Sequence, residues 1–186
     1  MKNQTTSIKD SLLVSIRDAM KTAGIDACLI PSADPHLSEY LPDYWQLRAW
    51  LTAFTGSVGT VVVTQDFAGV WVDSRYWIQA ENELAGTAFQ LMKIGTAADQ
   101  AHTQWLADHV PAKGVVAVDG RALSVAARDA LEGLFSSRGI RLELNLDIPG
   151  QCWVDRPSLP TTPISELALE FAGLSRVEKL ARLRAV

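Results

Sequence analysis

Three histidines, a polar loop, a serine between glycines and one acid–base–aromatic run are the places where this 186-residue chain could do chemistry. His102 and His109 stand seven positions apart, two helical turns. One metal ion held by a single helix takes ligands one turn apart, as in His-x-x-x-His, so these two read as surface or boundary histidines. His36 lies in Ser32-Ala33-Asp34-Pro35-His36, with Ser38, Glu39 and Tyr40 close behind, just after an apolar run ended by Pro31. Loops at the carboxyl ends of strands are where α/β domains often place ligand contacts. The plainer reading is a solvated loop that leads through Ser38 into the next helix. Gly56-Ser57-Val58-Gly59 lacks both the Lys of a phosphate-binding loop and the Gly-x-Ser-x-Gly of a nucleophile elbow, so a tight turn into a strand fits it better. Val72-Asp73-Ser74-Arg75-Tyr76-Trp77 sets a charge pair beside aromatics at a strand–helix junction. There Asp73 can cap the helix and pair with Arg75, or the run can present a surface to a second domain. The remaining carboxylates are dispersed, so no acid and base roles are assigned, and no catalytic residue or metal ligand is read from the chain.

The elements that must position these residues follow from periodicity. Ile8, Leu12, Ile16 and Met20 recur every fourth residue and predict a helix over 8–23, with Ser7 and Asp10 as a capping box and Gly24 as the stop. A strand over 26–30, a helix over 44–54 and two β-rich runs, 60–63 and 68–72, come next. The two runs are joined by Gln65-Asp66 and read as adjacent antiparallel strands. Asp73 or Ser74 opens a helix reaching Leu84, closed by Gly86. A strand over 89–93 leads to a helix through His109 with Thr96 and Asp99 as a second capping box. A strand over 115–118 and a Ser124-capped helix bearing Ala127, Leu131, Leu134 and Phe135 follow, and Ile140, Leu142 and Leu144 alternate as in a half-buried strand. Strands alternating with helices predict an α/β domain with a mixed sheet flanked by helices, the early hairpin arguing against a purely parallel one.

Composition narrows the class. A hydrophobic fraction of 48% and a charged fraction of 20% are those of a globular domain. A net charge of -4 without a basic stripe argues against nucleic acid or an anionic membrane as partner. No apolar run approaches the ~18 residues that span a bilayer, and the first residues lack the apolar core of a secretory signal. Cys28 and Cys152 are far apart and unpaired in pattern, so both read as reduced thiols of a cytoplasmic protein, Cys28 as a small core residue. Of the six tryptophans, Trp71, Trp77 and Trp105 fall on periodic apolar positions and are expected in the core. Trp45, Trp50 and Trp153 do not, and one of them is a candidate for a contact surface.

The first domain is expected to occupy residues 1–146. A linker over 147–174 carries Pro157, Pro160 and Pro163. Ser175-Arg176-Val177-Glu178 looks like a fresh capping box, and Val177, Leu180 and Leu183 follow with helical spacing up to Val186. Residues 175–186 therefore read as the start of a second domain that is cut short, since a short amphipathic helix alone is marginal in water.

Several stretches taken together resemble one family. They are the run from Ile30 to Tyr40, Arg48, Phe54-Thr55-Gly56-Ser57-Val58-Gly59-Thr60, the run from Val72 to Ala80, Leu91-Met92-Lys93-Ile94-Gly95, Asn145-Leu146-Asp147, Trp153-Val154-Asp155-Arg156-Pro157 and the run from Phe171 to Leu180. In this order, over nearly the whole chain, they resemble the N-terminal domain of aminopeptidase P, the Xaa-Pro aminopeptidase of the creatinase/prolidase superfamily. Ser74 departs from the family's usual Gly, Val58 from its common Ala, and Ile148-Pro149-Gly150-Gln151 loosens the segment before Trp153. The resemblance implies a ribonuclease H-like α/β fold and a larger cytoplasmic, homodimeric metallopeptidase that removes the first residue from peptides with proline second. It implies two divalent metal ions, commonly manganese, in a C-terminal domain whose ligands are two aspartates, a histidine and two glutamates. None of those ligands maps onto this chain. The N-terminal domain itself is implied to be non-catalytic, shaping access to the cleft and subunit contacts, with Asp34, His36, Glu39, Tyr40, Arg48 and Arg75 expected near the cleft rim. Two other readings stay open: a free-standing binding or dimerisation module of this fold, and the same domain of a prolidase- or creatinase-like relative.

Overall fold

The computed structural model describes residues 2–96 and 99–186, with side chains from residue 9 onward. Helix α1 spans Lys2–Ala23, so it already runs through Ser7 rather than starting there, and the expected Ser7 cap and the Ile8 side chain lie outside the described side chains. The helix stops where expected: Gly24 takes φ +68, a left-handed conformation that glycine adopts without a Cβ clash. Strands β1 (Ala27–Ile30), β2 (Thr60–Thr64), β3 (Ala68–Val72), β4 (Gln90–Lys93), β5 (Val115–Ala117) and β6 (Arg141–Glu143) form one sheet in the order β4-β3-β2-β1-β5-β6. Strand β2 pairs antiparallel with β1 and β3, while β3–β4, β1–β5 and β5–β6 are parallel. Five strands thus point one way and β2 alone runs back, which is the mixed sheet the hairpin predicts.

Alternation along the strands builds two cores. Cys28 and Ile30 of β1, Val61 and Val63 of β2 and Val70 and Val72 of β3 pack with Leu13, Ile16 and Met20 of α1. The same layer takes Leu47 and Leu51 of α2 (Leu47–Thr52) and Ala80 and Leu84 of α3 (Trp77–Leu84). On the other face Ala27, Leu29, Val62 and Trp71 pack with Leu106 of α4 (Ala101–His109) and Leu131 and Phe135 of α5 (Val125–Ser136). A pleat of period two sends neighbours to opposite faces, so both helical layers are needed to cover the sheet.

Two predicted elements differ. The segment expected as one helix over 44–54 is a 3₁₀ turn, Asp43–Trp45, followed by the six-residue α2, which ends where Ala53 enters the left-handed region at φ 63. Helix α4 starts at Ala101, where Asp99 accepts the Ala101 backbone N–H (2.9 Å), and the Asp99 N–H donates to the Thr96 carbonyl (3.0 Å). Packing also continues past Leu146. Asp147 accepts the Gly150 N–H and opens a short helix, α6 (Ile148–Cys152), in which Pro149 fits the first turn. Ile148, 1% exposed, is part of the α1-side core, and Trp153 stacks on Trp50 at 4.9 Å and 13°. Beyond Pro157 come α7 (Leu169–Ala172) and α8 (Arg176–Arg184); α8 carries the predicted Ser175/Glu178 capping box, with Val177 and Leu183 exposed. Among the described residues no helix is long and apolar enough to cross a membrane.

Candidate functional site

Because five strands are parallel to one another, the carboxyl ends of β1, β3, β5 and β6 and the start of β2 gather five loops at one end of the sheet: residues 31–46, 53–59, 73–76, 118–124 and 144–147. That end is where a doubly covered sheet leaves a crevice. At β3, Asp73 is buried and caps the 3₁₀ turn Ser74–Tyr76 by accepting the Arg75 backbone N–H (3.0 Å). The Arg75 guanidinium donates to both its oxygens, Nε at 3.0 Å and Nη2 at 2.8 Å. This bidentate pair outweighs burial and holds the Asp73 carboxyl below its ordinary pKa, while raising that of Arg75. The Arg75 side chain is 60% exposed, its guanidinium 5.3 Å from the Tyr76 ring centre, with Glu39 adding negative potential.

Tyr76 links this surface inward. Its hydroxyl lies 2.6 Å from that of Ser57, and its ring meets Phe54 edge-on at 6.2 Å. Phe54 in turn carries the Arg48 guanidinium, 4.9 Å from its centroid. Two arginines thus bracket an aromatic pair, one at the surface and one beneath it: Arg48 is 4% exposed, and burial pulls its pKa down to about 10. The loop Gly56–Gly59 lies directly on these side chains. A Cβ on Gly56 would stand 2.4 Å from the Phe54 ring, so the position requires glycine.

The 34–40 loop divides by role. Asp34, 3% exposed, accepts the backbone N–H groups of His36 and Ser38, both at 2.9 Å, on either side of Leu37, which sits at φ 54. Burial opposes ionisation there, yet bonds from Ser38 and His36 hold the carboxyl below its ordinary value. Asp34 is therefore engaged in fixing a left-handed turn. His36, Glu39 and Tyr40 are exposed, Tyr40 at 84%. Of the six expected rim residues, Glu39, Arg75 and, through Phe54 and Tyr76, Arg48 share one site; Asp34 supports the loop from within.

Beside them, a cleft of about 570 Å³ opens between the 31–37 loop, α4 and α5, lined by Leu29, Ala33, Leu37, Val58, His102 and Leu131 among others. Burial drives the His102 pKa down to about 4, so the ring is neutral and apolar in effect at neutral pH. No cluster of three or more His, Cys, Asp or Glu that could hold a metal occurs among the described residues. The arrangement, an apolar cleft beside a charged and aromatic surface, can bind and orient a ligand.

The model of the creatinase/prolidase N-terminal domain family matches residues 13–142. The chain belongs to that family. Among curated proteins, Aminopeptidase P2 of Arabidopsis thaliana is 36% identical over 98% of this chain and 26% of its own length. Human Xaa-Pro aminopeptidase 2 is 34% identical over 92% of this chain and 25% of its own length. The chain thus spans about a quarter of these relatives. The X-prolyl aminopeptidase of Caenorhabditis elegans, described as a cytosolic enzyme with a di-nuclear active site, superposes at a TM-score of 0.83 with 29% identity, covering 94% of this chain and 30% of that one. Aminopeptidase P of Streptococcus thermophilus, at 19% identity and a TM-score of 0.59, shares the fold.

One part of this creatinase/prolidase N-terminal domain escaped the sequence reading as a cluster. Arg156 donates to Asp147 (2.6 Å) and to the Tyr44 carbonyl (2.9 Å), with its guanidinium 3.6 Å from the Tyr44 ring centre. Arg121 joins Asp119 and Asp147 and covers Trp45 at 5.0 Å. The Asn145–Pro157 stretches carried the resemblance, but that they fold back more than a hundred residues onto Tyr44 and Trp50 has no local signature. The tryptophans also divide differently: Trp45 and Trp71 are buried, whereas Trp77 and Trp105 are half-buried.

Proposed function

We propose that this chain is the non-catalytic N-terminal part of a metal-dependent Xaa-Pro aminopeptidase that releases the first residue from peptides with proline second. The observation that carries the reading is coverage: relatives named for that activity align with almost all of this chain but only about a quarter of themselves. In this reading the chemistry belongs to a domain bearing two divalent metal ions, manganese being the expected pair, and this chain holds neither ion. Its task is to border the route to that centre with Glu39, Tyr40 and Arg75, with His36 beside them, and to contribute to a homodimer in the cytoplasm. An exposed arginine anchored bidentately on a buried Asp is a rigid, charged contact suited to steering a peptide.

The test has two parts. The chain incubated with Mn²⁺ and an Xaa-Pro peptide is expected to give no turnover; metal-dependent release of the first residue would overturn the non-catalytic assignment. In the full-length enzyme Arg75→Ala is expected to raise KM or dissociate the dimer, and unchanged kinetics together with unchanged mass would remove Arg75 from the rim.

A further inference from the structure

Arg48 is the least satisfied charge in the described part of the molecule. Its Nε and Nη1 are sealed from solvent and have no hydrogen-bond partner among the described residues. The neighbouring carboxylate is Glu83, but its oxygens are taken by the Thr55 N–H, the Thr55 hydroxyl and Gln79, and it makes no ion pair with Arg48. The Tyr76 hydroxyl is shared with Ser57. A charged group buried without partners is costly, and the Phe54 ring offsets only part of that cost. Arg156, the other arginine with a sealed unpaired nitrogen, is by contrast bonded to Asp147 and to Tyr44.

What covers Arg48 is a thin roof. The ideal Cβ position of Gly59 lies 3.2 Å from Nη1 and 3.4 Å from Cδ of Arg48, so the loop passes close against this side chain. Three polar contacts pin the loop: Thr55 to Glu83, Ser57 to Tyr76 at 2.6 Å, and the Gly59 carbonyl to the Ser32 hydroxyl at 2.5 Å. Each lies at an exposed or half-buried position and can be exchanged for water. We propose that Arg48 is the receptor for a carboxylate brought by another polypeptide, and that the Gly56–Gly59 loop is its movable roof. A guanidinium N–H gives a carboxylate oxygen a charge-assisted hydrogen bond, and removal from solvent strengthens that bond. The carboxylate has two sources with the same chemistry, the free end of a peptide or the side chain of a docking surface. The proposal extends beyond the access role above and is tested on this chain alone, so it stands or falls separately from the peptidase assignment.

The experiment follows the Arg48 Nε–H in ¹⁵N-labelled protein, the signal being identified by its loss in Arg48→Lys. Acetylglycine, whose only charge is a terminal carboxylate, and acetylaspartate bis-protected as its α-N-methylamide, whose only charge is on the side chain, are titrated against chloride at matched ionic strength. At least one probe is expected to give a saturable shift at Arg48 and at the Gly56 and Gly59 amides, absent in Arg48→Lys. Tyr76→Phe, which releases Ser57, is expected to tighten the apparent Kd several-fold by making the open roof more populated. Response to acetylglycine alone identifies a peptide terminus; response to the aspartate probe alone identifies a docking side chain. If both probes shift Arg48 no more than chloride does, the proposal is overturned.

Discussion

At Asp73 the folded chain binds a proton less readily than the unfolded one, because Arg75 donates twice to the carboxylate. Stability from this pair is therefore fully present above the ordinary Asp pKa of about 4 and drains away as pH falls below it, through the lowered folded value. Asp73→Ala also removes the turn cap and is expected to lower stability by about 1–2 kcal/mol in urea at pH 7, with a shallower acid limb. An unchanged acid limb would show that Arg75 does not hold the proton off. His102 acts in the same pH direction from burial. Its folded pKa, near 4, lies below the unfolded value, so the unfolded chain takes the proton first and stability falls as pH drops from about 6.5 toward 4. His102→Gln should flatten the urea midpoint over that window; a wild-type slope would put the titration elsewhere. Asp73 was legible in the sequence because a cap and its partner lie two residues apart. Arg48 was legible as a matching residue, yet nothing local says that it is buried, since its burial is made by Phe54 and by a loop eight to eleven positions on.

Among the elements, α6 gives the sharpest test. Ile148 fills the α1-side core, so Ile148→Ala is expected to cost about 2–5 kcal/mol. A chain ending at Leu146 should likewise unfold at lower urea than one ending at Pro157, because it loses Ile148, the Trp50–Trp153 stack and the Arg156–Asp147 pair together. Equal midpoints would place the edge of the folded unit at Leu146, where the sequence puts it. Strands β1 to β6 and helices α3 and α5 were legible because their patterns are periodic and their caps local. The 147–156 segment read as linker because Pro, Gly and polar residues dominate it locally, while its anchors on Tyr44 and Trp50 are distant in sequence. The predicted 44–54 helix is interrupted at Gln46, between the 3₁₀ turn and α2, and ends at Ala53, a left-handed residue without a glycine to announce it.

In the molecule as a whole the sheet order has a consequence for synthesis. Strands β1 to β4 are consecutive neighbours, β4-β3-β2-β1, so four of the six strands can pair once residue 93 has emerged. The other two must wait: β5 begins at Val115 and joins the far side of β1 in parallel, with β6 beyond it. Until then the β1 edge, Ala27–Ile30, is an open and wholly apolar template at what becomes the centre of the sheet. Pulsed hydrogen exchange during refolding should protect β2 and β3 before β5, and simultaneous protection would argue against that order. A nascent chain stalled shortly after Lys93 would thus expose a strand that the finished domain buries at every position, making that interval the one in which a chaperone matters.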